Sequence, residues 1–319
     1  MVYTHLTQDQ RYQIEALLKA GHTQAQVARI LARAPSTICR ELRRNRSPGL
    51  RYEAMQAQTL ASIRARACAN APQIKLDCWQ KALERLVEKW SPDAVAGRLR
   101  LEGHHRISHM TIYRRIRADR EAGGSLWRHL RCHRRSYMRR GDGRIRARPV
   151  GGKPIELRPG IVQSRATFGH WEGDTMLDRG LRSALVTLAE RKSRYVLAAK
   201  VSKRHAALVR RAVNRLLAPC AELAQTLTLD NGKEFSEHQE LNIDCYFARP
   251  YASWQRGTVE NVNGLLRQYF PRSRKLANVR SDDVTRAVNK LNHRPRKCLG
   301  YRTPHEVFME ALDALHFKG

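Results

Sequence analysis

Three short stretches constrain this chain most: Gly169-His170-Trp171-Glu172-Gly173-Asp174-Thr175, Thr228-Leu229-Asp230-Asn231-Gly232-Lys233-Glu234-Phe235 and Gly257-Thr258-Val259-Glu260-Asn261. Each sets an acidic residue in a different kind of element. Residues 171–177 read as a strand, so Glu172 and Asp174, two apart, point to the same face. Leu227 and Leu229 end a second strand at Asp230, where Asn231-Gly232 gives a turn, and α/β sheets place ligands at such carboxyl ends. Thr258 to Tyr269 reads as a helix limited by Pro271. On it Glu260, Asn263 and Arg267 fall at i, i+3 and i+7, so one face offers a carboxylate, an amide and a cation.

Asp174, Asp230 and Glu260 are the candidate catalytic and metal-holding residues. Magnesium is a hard cation that takes oxygen ligands and keeps room for water and phosphate. Two such ions about 3.5–4 Å apart suit in-line phosphoryl transfer, and Mn²⁺ shares the same ligand preference. A single Asp or Glu is more often solvated or salt-bridged. Glu172 accordingly reads as an additional ligand or as the partner of a nearby Arg, and Glu234 as a residue that caps or flanks a helix.

The sign of the charge points to the partner. Sixty Lys and Arg against twenty-nine Asp and Glu give a formal charge of +31, the electrostatic footprint of nucleic-acid binding. Such a charge does not separate an enzyme from a binding protein. No apolar run reaches the roughly 18 residues that span a bilayer, and residues 1–5 lack a signal peptide's apolar core. Seven scattered cysteines give neither a disulfide framework nor a zinc spacing, and His129, Cys132 and His133 read as part of a solvated basic segment. No membrane partner and a cytoplasmic location are expected.

Two helix-turn-helix units are expected before the acidic stretches. Thr7-Gln8-Asp9-Gln10 is a capping box that opens a helix closed at Gly21. Thr23 starts a second, with Val27, Ile30 and Leu31 inward. A third follows Pro35, with Ile38 and Leu42 inward and Ser36, Thr37, Arg40, Arg43 and Arg44 available to base edges and phosphates in a major groove. Tyr52 to Ala71 reads as a helical linker. Ser91-Pro92-Asp93 begins another helix. Residues 108–117 repeat the recognition pattern: Ile112 and Ile116 turn inward, leaving His109, Thr111, Arg114 and Arg115 to contact DNA. Between Arg128 and Arg158 there are eleven Lys or Arg against two carboxylates, so this glycine-interrupted stretch, Arg139 and Arg140 included, reads as a connector following phosphate backbone. The expected domains are thus 1–50, 51–120, 121–162 and 163–319. In the last, apolar runs give strand, strand, strand, helix, strand, helix, strand and helix, closing with the capped helix after Thr303-Pro304-His305-Glu306.

The motifs resemble those of the insertion sequence 30 family of transposases. The resemblance rests on Gly169-x-Trp171-Glu172-x-Asp174, on Asp230 to Phe235, on Pro250-Tyr251 with Trp254 to Tyr269, and on Leu291-Asn292-His293-Arg294-Pro295-Arg296-Lys297. With the amino-terminal helices it covers nearly the whole chain. It implies an α/β catalytic domain of the ribonuclease-H-like, integrase-core fold, preceded by an all-α helix-turn-helix region. It favours Asp174 over Glu172, makes Asp174, Asp230 and Glu260 an Asp, Asp, Glu triad, and adds Asn263 and Arg267 to the DNA-facing residues. The implied function is metal-dependent cleavage and strand transfer at the double-stranded ends of a mobile element, in a bacterium, by a homodimer or larger assembly. The rivals are a nuclease that cuts without joining and a DNA-binding regulator with a decayed catalytic domain. The Asp230 to Glu260 interval is shorter than the family's by about one helical turn. The shortfall lies between Phe235 and Tyr246, where a shortened helix is expected.

Overall fold

The computed structural model describes residues 5–45, 51–69, 74–104, 107–130, 151–178, 180, 183–250 and 252–316. The chain divides into two compact units, Met1–Gln73 and Ile74–Gly319.

The first unit is a helical bundle. Helix α1 (Gln8–Lys19) starts at the expected capping box, with Thr7 and Gln10 exchanging backbone-to-side-chain bonds of 3.3 Å in both directions. Helix α2 (Gln24–Ile30) is capped in the same way by Thr23 and Gln26, and α3 (Pro35–Asn45) completes the helix-turn-helix. Ile14, Val27, Ile38 and Leu42 form its core. Ile30 does not join them: it is 55% exposed. Residues expected to be a linker form α4 (Ala54–Ala69), which packs on α1 and α3. Its apolar surface is mostly alanine methyl, too small to mark a buried stripe in sequence, yet Ala54 and Ala57 are fully buried. Beneath α3, Glu41 is fixed by Arg11 at 2.8 Å and by the Tyr52 hydroxyl at 3.1 Å. The first bundle therefore extends past residue 50.

The second unit opens with α5 (Leu76–Val87), α6 (Pro92–Leu101) and α7 (His109–Glu121), packed around Leu86, Val95, Leu99, Ile112 and Ile116. There follow β1 (Lys153–Pro154), α8 (Ile161–Ser164), β2 (His170–Leu177), β3 (Ala184–Glu190), β4 (Val196–Val201) and α9 (Ala206–Leu217). Strands β5 (Thr226–Leu229) and β6 (Asp244–Phe247) and helices α10 (Gly257–Leu266), α11 (Ser281–Asn292) and α12 (Pro304–His316) complete it. Among the described residues the strands form one six-stranded sheet, ordered β1-β6-β5-β2-β3-β4. β2, β3 and β4 are an antiparallel meander, while β5 is parallel to β2 and to β6. β1 pairs with β6, so the sheet recruits residues from before position 163.

Strand alternation sorts the two cores. Trp171, Val186 and Leu188 face the α9 and α12 side, where Phe308 meets the Trp171 ring edge-on at 5.7 Å. Met176, Leu185 and Ala189 face α10 and α11. Both faces are covered, which is why β3 is buried along its whole length. Helix α12 starts at the expected cap, and its Glu306 also holds Arg98 of α6 through two bonds of 2.7 and 2.9 Å.

The helix expected between Phe235 and Tyr246 does not form. Two 3₁₀ turns, Lys233–Phe235 and His238–Glu240, take its place. A 3₁₀ turn rises about 2.0 Å per residue against 1.5 Å in an α-helix, so fewer residues return the chain to the start of β6. The short interval is absorbed there, and the β5–β6 register is continuous from Thr226 to Leu229.

Candidate active site

Adjacent parallel strands bring two of the three acids together. β2 pairs with β5 through Glu172 and Thr228. Two residues further along each strand direction stand Asp174 and Asp230, level with one another and on the same side. Between them lies Arg256, which ends the 3₁₀ turn Ser253–Arg256 leading into α10. Its Nη2 is 3.2 Å from Asp230 Oδ2, and its Nη1 is 3.6 Å from Asp174 Oδ1 and donates to the Gly173 carbonyl at 3.0 Å. The other Asp174 oxygen accepts from Asn263 Nδ2 at 2.8 Å. Asn263 Oδ1 in turn accepts from Thr187 Oγ1 at 2.9 Å, and Thr187 is the β3 residue opposite Asp174. Asp230 is steadied by the Gly232 N–H at 3.1 Å. Burial pushes the Asp174 carboxyl up to about 6; Arg256 opposes the rise and the charge of Asp230 adds to it.

Glu172 locks the third element onto this pair. It is fully buried, ion-paired with Arg191, and its Oε2 accepts from the N–H groups of Thr258 and Val259 at 2.8 and 3.0 Å. The carboxylate therefore caps α10, where the helix dipole favours a negative charge. Spacing fits this alignment: five residues of helix rise about 7.5 Å and two residues of strand about 6.6 Å. With Thr258 over Glu172, Asn263 comes over Asp174. Of the two expectations for Glu172, the Arg partner is the one observed. Glu234 is likewise not a helix cap but a buried acid, accepting from Thr175 Oγ1 at 2.8 Å and from Arg204 Nε at 2.7 Å.

Glu260 lies apart from the pair. It sits about 60° around α10 from Asn263, exposed, with no hydrogen bond or ion pair among the described residues. Among those residues no three His, Cys, Asp or Glu side chains are assembled as a metal cluster. The three-carboxylate arrangement expected from sequence is thus only two-thirds gathered. Among the described residues, Arg256 supplies the one positive charge that the two aspartates share. The donor set nevertheless fits a hard cation, since Asp174 and Asp230 converge on one positive group.

Comparison with known proteins agrees with this architecture. Residues 2–45 match a helix-turn-helix domain, and residues 164–253 match an integrase core domain. The chain is 35% identical to the transposase for insertion sequence element IS4351 of Bacteroides fragilis, over 97% of each chain. It is 38% identical to the transposase InsI for insertion sequence element IS30A of Escherichia coli K12, over 95% of this chain and 83% of that one. The chain belongs to the insertion sequence 30 family of transposases. This transposase is a DNA-binding enzyme of transposition and integration, and its integrase core is a divalent-metal-dependent domain. Among solved structures it is similar to the catalytic core domain of BIV integrase, with a TM-score of 0.38 and 20% identity over 46% of this chain and 98% of that one.

The transposase presents its expected DNA contacts unevenly. On α3, Ser36, Arg40, Arg43 and Arg44 are exposed and Thr37 is half-buried. On α7, His109, Arg114 and Arg115 are exposed, while Thr111 is half-buried with its hydroxyl 2.8 Å from Ser108 Oγ. Arg139 and Arg140 lie outside the described residues. Asn263 and Arg267 correct the expectation that they face DNA. Asn263 is committed to Asp174 and Thr187, and Arg267 donates to the Leu177 carbonyl at 2.6 Å. Both are half-buried at the margin of the packing face of α10, which is made by Thr258, Val259, Val262, Leu265 and Leu266. Arg256 had no role assigned from sequence, and its place next to Gly257-Thr258 gives no hint of where its guanidinium goes. Among the described residues no helix is long and apolar enough to cross a membrane.

Proposed function

We propose that Asp174, Asp230 and Glu260 are the catalytic carboxylates, that they hold two Mg²⁺ ions with Mn²⁺ as a substitute, and that the transposase uses them to cleave and join double-stranded DNA. The observation that carries this reading is Arg256: a cation reaches both Asp174 and Asp230 from one position, so the fold already supports positive charge where a metal would sit. When bound, the ions supply Lewis-acid stabilisation of charge at the attacked phosphorus. The chain's residues do the positioning. Asn263 sets the Asp174 carboxylate, the Gly232 N–H sets that of Asp230, and Glu172 holds the helix that brings Glu260. Glu260, exposed and without a hydrogen bond or ion pair among the described residues, is the third carboxylate of this reading.

The exposed polar residues of α3 and α7 read the ends of the element, and the basic segment with Arg139 and Arg140 follows phosphates. A mobile element has two ends, so the working form is at least a dimer, acting in the cytoplasm. The test is a cleavage and joining assay on the DNA flanking the element, with Mg²⁺. Cleaved and joined strands are expected. Cutting without joining would make the protein a nuclease, and binding without either product would make it a regulator.

A further inference from the structure

Besides the arginines that hold the aspartates and Glu172, three arginines line one cavity. A cavity of 280 Å³ lies against the first turn of α10, and its lining includes Arg165, Arg194, Arg296, Thr258 and Asn261, with no carboxylate. Glu172 stands behind it, yet that carboxylate is already taken by Arg191 and the first N–H groups of α10. The helix end is therefore satisfied, and the cavity's character comes from the guanidinium groups. Arg194 Nη1 donates to Thr258 Oγ1 at 3.1 Å, which leaves the rest of its fork available. Arg165 makes no hydrogen bond or ion pair among the described residues. Desolvation, followed by the nearby charges of Arg194 and Arg191, lowers its hold on its proton.

The backbone points the same way. Arg165 and Arg194 sit at φ of +57° and +64°, in the left-handed region where glycine or asparagine is the usual occupant. Of the five non-glycine residues at positive φ among the described residues, these two are arginines, and both line the same cavity. Strain of this kind persists where the surrounding structure holds it, often at binding sites.

We propose that this cavity is a phosphate-binding subsite that grips one backbone phosphate of the DNA strand beside the scissile bond. A phosphodiester supplies paired anionic oxygens, which the planar fork of arginine matches better than a lysine would. Asn261 follows Glu260 on α10, about 100° around the helix, so a phosphate held here lies on a neighbouring flank of the helix that bears the third carboxylate of the catalytic reading. The subsite rests on that reading, because it takes the strand being cut or joined as its ligand.

Ethylation interference on the full chain tests it. The probe in one arm is a duplex of the element end, and in the other a target duplex, each ethylated at random backbone phosphates. For the wild-type protein, ethylation of one phosphate near the scissile bond is expected to block complex formation. In Arg165→Ala, and more completely in Arg165→Ala with Arg194→Ala, interference at that phosphate should disappear while the remaining pattern stays. The slope of log affinity against log salt should become shallower by about 0.9, the loss of one phosphate contact. The arm in which interference disappears names the strand. Arg165→Ala is informative with little risk to the fold, since that side chain makes no hydrogen bond or ion pair among the described residues. An unchanged interference map in both variants would overturn the subsite. No complex between the wild-type protein and either duplex would instead overturn the function beneath it.

Discussion

Helix α3 and helix α10 carry the same chemical currency, arginine and small polar side chains, in opposite states. On α3, Arg40, Arg43 and Arg44 are exposed and the packing is done by Ile38 and Leu42. At α10, Arg256 is buried between two aspartates, Arg267 is held by a backbone carbonyl, and Asn263 bridges two strands. A residue that reads DNA must keep its donors free for a partner, whereas one that shapes a catalytic site spends them inside the protein. Composition records both simply as positive charge.

The largest effect should come from the committed side. Glu172→Ala leaves Arg191 buried without its carboxylate and uncaps α10, and breaking a buried pair in this way costs about 3–5 kcal/mol. Chemical denaturation should show that loss, with strand transfer falling as α10 loosens. A loss below about 1 kcal/mol would mean that the cap does not hold the helix.

A smaller effect separates the aspartate site from an ordinary surface carboxylate. Asp174 is raised from 3.8 to about 6 in the folded protein. Between those values the folded state binds a proton that the unfolded state has released, so stability falls as pH rises and levels off above about 6. Ionising Asp174 in the metal-free protein should therefore cost roughly 3 kcal/mol. Asp174→Asn lacks this dependence, so its stability relative to wild type should improve from pH 4 to pH 8. A constant difference between the two proteins would place Asp174 in water.

On the free side, Arg40→Ala and Arg43→Ala should leave stability within about 0.5 kcal/mol, because exposed side chains away from special features contribute little. Each should reduce discrimination between the element end and unrelated DNA by about 1–3 kcal/mol if it contacts a base. Weaker binding with unchanged discrimination would assign that arginine to a phosphate.

The contrast also explains what could be read in the sequence. Strand alternation placed Glu172 and Asp174 on one face, and the caps at Thr7, Thr23, Ser91 and Thr303 mark real helix starts, because these depend on neighbours in sequence. Asp230 at the end of β5 was legible for the same reason. What depends on distant partners was not. The direction of Asn263 and Arg267 follows from the seating of α10 on Glu172, eighty-six residues before Thr258. The missing helix between β5 and β6 reflects the distance the crossover must span, and the role of α4 reflects the close approach that small alanines allow. Arg256 combined both problems, since only the assembled sheet shows two aspartates converging on it.

Glu260 remains the decisive residue, because it is the one proposed ligand that stands apart from Asp174 and Asp230. Mg²⁺-dependent strand transfer by Glu260→Gln, with binding of the element end followed alongside, tests its place most directly. The expected result is loss of both cleavage and joining, with end binding within a few-fold of wild type. Full strand transfer by Glu260→Gln would contradict the assignment and move the third carboxylate to another acid, with Glu234, bonded to Thr175 beside Asp174, the first to examine.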